Sequence, residues 1–161
     1  MLKVGWASRE ITPQRPAMLQ GQMNTRVARE AVDPLLTTAL AWDGGRPGTQ
    51  VIWISCDLAM VSDELQAAVR ARLQHRLPDL PMDSVIMAST HTHDGPVTED
   101  GFYPHPGGDV MTGAEALVWV ADLCAEAAVE AWRSRTRRSV GRAFGHAVVG
   151  HNRRAAYADG R

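Results

Sequence analysis

The chain has 161 residues, long enough for one domain with a real core. Its 45% hydrophobic and 22% charged residues describe an ordinary soluble globular protein and exclude a disordered one. With 17 Lys and Arg against 18 Asp and Glu the formal net charge is -1, which argues against the cationic footprint of a nucleic-acid binder.

Leu2 to Ile11 alternates loosely and runs into Thr12-Pro13, which predicts a strand followed by a turn. The polar stretch Gln20-Gly21-Gln22-Met23-Asn24 reads as irregular loop. Leu36 to Trp42 is a second strand, closed by the turn signal Asp43-Gly44-Gly45. Val51 to Cys56 is apolar apart from Ser55, and its β-branched and aromatic residues suit a strand buried on both faces. A helix follows, with Ser62 as N-cap, Asp63 and Glu64 in the first turn, and Leu65, Ala68, Val69 and Leu73 at helical spacing up to Pro78. After a turn at Leu80-Pro81-Met82-Asp83, Val85-Ile86-Met87-Ala88 is a further strand. Strand, helix, strand is a βαβ unit, so these two strands are expected to be parallel with a right-handed crossover.

Residues 94 to 112 form a Gly/Pro-rich loop. Thr112 and Glu115 then have the spacing of a capping box, and Ala116, Leu117, Val120, Leu123, Cys124, Ala127, Ala128 and Ala131 trace one apolar helical stripe. The basic cluster Arg133, Arg135, Arg137 and Arg138 reads as a solvated helix end. Ser139 to Tyr157 carries Val140, Ala143, Ala147, Val148 and Val149 and is expected to make one or two strands. Asp159-Gly160 is a hairpin-turn dipeptide with only Arg161 after it, which suggests a fragment of a longer domain; a polar tail is the plainer alternative. The expected class is therefore α/β, a mixed, partly parallel sheet flanked by helices, in an incomplete domain.

Cys56 and Cys124 each sit in an apolar run and are too few for a disulfide framework, so free buried thiols are expected. No apolar stretch approaches the roughly 20 residues that span a bilayer, and MLKVGWASREITP has no secretory signal pattern. A soluble chain without a transmembrane segment follows; its compartment and oligomeric state carry no sequence signal.

Chemistry concentrates where the βαβ strands end, because functional loops of a parallel sheet gather at its carboxyl edge. One strand ends in Ser55-Cys56-Asp57 and the other in Ser89-Thr90-His91-Thr92-His93-Asp94. Two histidines at i, i+2 in extended chain project to the same side, and neutral imidazoles held there suit zinc or another first-row metal. Two ligands do not close a site. Asp57, Asp94, His105, His146 and His151 are the other candidates, and no spacing selects among them.

The stretch VIMASTHTHDGP, residues 85 to 96, resembles the signature of the neutral/alkaline non-lysosomal ceramidase family, a hydrophobic strand followed by Thr-His-Thr-His-Ser-Gly-Pro, with Asp94 in place of the serine. In the family's order, VGWASREITP (4 to 13) resembles its Gly-x-Ala-x-x-Asp-Ile-Thr-Pro opening, LQG (19 to 21) its Leu-x-Gly, VIWISCDLAMVS (51 to 62) its buried strand ending in aspartate, and GHNRR (150 to 154) its Asn-Arg segment. The resemblance implies that residues 1 to 161 are the N-terminal portion of a zinc hydrolase catalytic domain. It makes His91 a zinc ligand, His93 a proton-handling or amide-binding neighbour, and Arg153 a group that holds substrate or its oxyanion. The family's remaining ligands, a second histidine, a glutamate and a tyrosine, lie beyond the length of this chain.

The implied reaction is hydrolysis of the N-acyl amide bond of ceramide-like lipids, with loop 94 to 112 and its Phe102, Tyr103 and His105 bordering the acyl-chain entrance. Two alternatives stand beside it. One is an amidohydrolase-type metal hydrolase, where His-x-His also follows a strand but eight βα units are needed. The other is a catalytically incomplete fragment or subunit, which a completing chain or a homo-oligomer would make whole.

Overall fold

Residues 1–150 and 157–159 are described by a computed structural model. Seven strands and two long helices form in chain order among them: β1 Lys3–Glu10, β2 Ala17–Leu19, β3 Arg26–Ala28, β4 Leu36–Asp43, β5 Gln50–Cys56, α1 Asp63–Arg76, β6 Val85–Ser89, α2 Gly113–Arg133 and β7 Thr136–Arg137, with a 3₁₀ turn at Met82–Ser84. The main sheet has five strands in the order β6-β5-β4-β1-β7, while β2 and β3 make a separate antiparallel pair. β5 and β6 run parallel, joined through α1, as the βαβ pattern requires; the other pairings in the main sheet are antiparallel. The fold is the expected mixed α/β sheet. Its single parallel pair is remote from the eight βα units of a barrel hydrolase.

Local sequence explains both helices. Ser62 Oγ accepts the Leu65 N–H at 3.2 Å and starts α1, whose Leu65, Val69 and Leu73 are buried. The helix stops at Arg76, just before Leu77-Pro78. At α2 the capping box is complete: Thr112 Oγ1 accepts from Glu115 N at 3.2 Å, and Glu115 Oε2 accepts from Thr112 N at 2.9 Å. Ala116, Val120, Cys124, Ala127, Ala128 and Ala131 bury as the stripe predicts, while Leu117 and Leu123 are only partly buried.

The alanine face of α2 lets the helix lie close on β1 and β4. At Gly5 the approach is closest. A Cβ there would meet Arg135 N at 2.9 Å and Ala131 O closer still, so only glycine fits. The core joins Ala39, Ala41, Ile52, Ile54, Val85 and Met87 of the sheet to both helices. Cys56 and Cys124 meet inside it as free thiols, Sγ to Sγ 3.5 Å apart, with Thr37 Oγ1 at 3.5 and 3.3 Å from them. Burial and the shared hydrogen bond act together there: the Cys124 thiol is pushed up, by its bond to Cys56 first and by desolvation second.

Two expectations are corrected. β5 is buried on one face only: Ile52, Ile54 and Cys56 are buried while Trp53 between them is 47% exposed. Both helices pack on the buried face, while Trp6, Trp53 and Ile86 of the other stay exposed. The strand near the end is the two-residue β7, paired to Lys3 and Val4, and the described residues from 139 onward contain none. β7 already occupies that edge of β1, and the apolar side chains Val140, Val148 and Val149 are exposed.

Candidate functional site

The parallel register ends at Cys56 opposite Ser89, and one further bond, Thr90 N to Cys56 O at 2.9 Å, closes the edge. The next residue, His91, has φ 62°, left-handed backbone that is rare for a non-glycine residue and costs on the order of 1–3 kcal/mol. The histidines therefore do not share a side by strand alternation, as the spacing suggested. The turned backbone brings them together instead. Their ring centroids are 4.9 Å apart with planes at 82°, and Nε2 of His93 lies 3.5 Å from Nε2 of His91.

The other nitrogen of His91 is committed. Nδ1 is 2.6 Å from the carbonyl oxygen of Ala59. A carbonyl only accepts, so Nδ1 carries the proton and the neutral ring keeps its lone pair on Nε2. Ser89 Oγ donates to the same carbonyl at 3.3 Å, fixing the loop after β5 against the end of β6. Sequence reasoning missed Ala59, because a backbone acceptor leaves no mark in residue type.

His93 is held from the opposite side. Gly21, φ +110°, lies flat against its ring; a Cβ there would come within 2.7 Å of His93 Cβ and nearer to the ring itself. Arg26 reaches over from β3 and donates to the His93 carbonyl, to Asp94 Oδ1 at 3.3 Å and to Gln20 O at 3.4 Å. Gln20 is 2% exposed, and its Oε1 has no partner among the described residues. Both imidazoles are open to solvent. Thr92, Asp94 and Pro96, which alternate with them, line a cavity of about 490 Å³ that also takes in Leu19 and Arg29.

The other candidates go elsewhere. Asp57 spends its carboxylate on strand ends, accepting from Thr90 Oγ1 at 3.0 Å and from Leu36 N at 2.9 Å. Asp94 pairs with Arg26. His105 stays in its own loop: Nε2 donates to Val110 O at 3.1 Å and Nδ1 accepts from Gly107 N at 3.0 Å. His146 contacts only the Phe144 ring among the interactions described. His151, Asn152 and Arg153 lie outside the described residues. No group of three or more metal-ligating side chains occurs among the described residues, so His91 and His93 stand as a pair.

Within loop 94 to 112, Phe102 and His105 are exposed and Tyr103 is a core residue. Tyr103 is buried with Met18, Val97 and Val110, and its hydroxyl binds the backbone of Gln22 at both N and O. Phe102 is 45% exposed. No helix among the described residues is long and apolar enough to cross a membrane.

No protein-family model matches the sequence, and no curated protein does. Solved structures do. Neutral ceramidase from Pseudomonas aeruginosa superposes with a TM-score of 0.67 at 18% identity, over 83% of this chain and 22% of its own. A ceramidase complexed with C2 gives 0.64 at 18% identity, over 83% of this chain and 21% of its own. At that identity the likeness is one of fold: the chain is built like about a fifth of a bacterial neutral ceramidase.

Proposed function

We propose that the chain is the part of a zinc-dependent amide hydrolase that presents the first metal-ligating histidine, His91, and that the complete enzyme cleaves the N-acyl bond of ceramide-like lipids. The observation that carries this reading is the committed Nδ1 of His91. An imidazole that donates one N–H to a backbone carbonyl while its other nitrogen keeps a lone pair is the usual arrangement of a zinc-binding histidine. His93 stands beside it, its Nε2 3.5 Å from the Nε2 of His91, near enough to act on a group bound there.

Bound zinc would supply a water ionised near neutral pH. The chain's own residues do the rest. His91 orients the donor nitrogen, and His93, solvent-open and adjacent, can hold a proton for the departing amine. Arg153 is assigned to the charge that develops on the carbonyl oxygen. His91 alone does not close a site, and further ligands would come from outside the described residues. The chain's span of about a fifth of the neutral ceramidase it resembles favours a second reading, a subunit or fragment without activity until completed.

Zinc titration followed by calorimetry and elemental analysis tests the proposal. One weakly held zinc per chain, lost in His91→Ala and weakened in His93→Ala, is the expected result. A chain that takes up no zinc at millimolar metal, or takes it equally well after His91→Ala, overturns it.

A further inference from the structure

We infer that Arg26 is a positioning residue for the histidine pair: by joining the turn after β2 to the loop after β6, it sets the ring of His93 against His91. The inference rests on reading that pair as the working site. One guanidinium meets three acceptors on two segments far apart in sequence. Nη2 donates to Gln20 O at 3.4 Å and to His93 O, and Nη1 reaches Asp94 Oδ1 at 3.3 Å. The two segments already touch through Gln20 N to Gly95 O at 3.0 Å and Val97 N to Met18 O at 2.8 Å. Those bonds hold residues 95–97. Arg26 extends the hold to the residue that bears the imidazole.

The consequence falls on the ring. Gln20 and Gly21 are adjacent, and Gly21 presses its bare Cα on the His93 side chain. Fixing the Gln20 carbonyl and the His93 carbonyl to one rigid fork therefore fixes the distance between the Gly21 surface and the ring. The ring has then little freedom except to face His91. Charge matters less than shape: the Asp94 side chain is 75% exposed, and an ion pair so wet contributes little. The guanidinium spreads its donors over separate nitrogens of a rigid planar fork, here Nη1 and Nη2, whereas the three N–H bonds of lysine radiate from one atom on a flexible stem. Arg26 donates to backbone and to Asp94, not to either imidazole, so its effect passes through His93.

Isotope-edited NMR of the histidine rings, run on wild type, Arg26→Lys and Arg26→Ala, tests this, with zinc titration and thermal melting alongside. Both variants are expected to lose the Gly21–His93 ring proximity signal and to weaken zinc uptake by about tenfold, the scale typical of outer-shell partners, while still melting cooperatively. Guanidinium on the order of 20 mM, far below the molar denaturing range, should restore both signals in Arg26→Ala and change nothing in wild type. Retention of the ring proximity in Arg26→Ala, or full rescue by lysine, overturns the inference. The ring signal is read without metal, so a wild-type chain that binds no zinc sinks the proposed hydrolase and still leaves Arg26 decided.

Discussion

The two faces of the main sheet come from the same strands and the same alternation, yet they are made of different residues. Toward the helices point Ala7, Thr37, Ala39, Ala41, Ile52, Ile54 and Cys56, all buried. Away from them, Trp6, Leu40, Trp53 and Ile86 stand in register as one row across β1, β4, β5 and β6. Trp6 is 61% exposed, Trp53 47% and Ile86 40%. Both faces carry apolar rows, so hydrophobicity alone does not say which is covered. Size does. Where α2 lies close, the sheet offers alanine, threonine and cysteine; where nothing presses, it carries tryptophan. A contiguous exposed row of this kind is unusual on a lone domain surface.

The sharpest way to break that contrast is to substitute neighbours on opposite faces. Ile54 is fully buried, and Ile54→Ala removes its side chain from a packed core, at a cost of about 2–5 kcal/mol in urea unfolding. A loss under about 1 kcal/mol would mean the helices do not seal that face. Gly5→Ala comes next. The added methyl meets the backbone of residues 131 and 135, which has no rotamer to give way, so an overpacking loss of about 1–3 kcal/mol is expected, with α2 displaced. An unchanged unfolding midpoint in Gly5→Ala would show that α2 sits further from β1 than the structure has it.

The faces also mark where sequence reading ends. β4, β5, β6 and both helices were legible because their signals are local: alternation, an N-cap, a capping box. Which side of β5 was covered was not legible, since the answer depends on where α2 packs, some 60 residues on. The three-residue strands β2 and β3 and the two-residue β7 are too short to show a period. At the site, the position of His91 and His93 at the end of a parallel strand is readable, but strand alternation does not account for their convergence. Convergence depends on a positive φ at His91 and on Ala59, Gly21 and Arg26, contacts that join the residues before β4 and after β5 to the loop after β6. Gly21 alone left a trace, in the short LQG segment.

On the bare face the same experiment should do little. Trp53→Thr keeps a β-branched residue in the strand and gives up cross-strand contacts with Leu40 and Ile86, each worth roughly 0.2–1 kcal/mol. A stability change below about 1 kcal/mol, together with reduced self-association at high concentration, is expected from urea unfolding and sedimentation. A loss above about 2 kcal/mol would put Trp53 among the residues that hold the fold, and the distinction between the faces would fail.

The smallest effect concerns how the covered face keeps its helix. α2 is tied at both ends by carboxylates held below their ordinary range. Beyond its last turn, Arg135 Nη2 reaches Asp43 Oδ2 at 3.4 Å, while Gly45 N donates to Oδ1 at 2.9 Å and Gln50 Nε2 at 3.2 Å. The Gly45 N–H is the largest cause of the lowered Asp43 carboxyl, ahead of Gln50 and Arg135. At the first turn, Arg15 and then the two Thr112 bonds lower Glu115 to about 2. Free carboxyls titrate at about 3.9 and 4.3, so the unfolded chain takes up these protons first. The contribution is full above about pH 5 and is lost as the pH falls through 4 toward the folded values. Asp43→Asn with Glu115→Gln should therefore lie below wild type at pH 7 and meet it near pH 2, the gap being small because Glu115 is in solvent. Two parallel stability curves over that range would show that neither carboxylate holds the helix to the sheet.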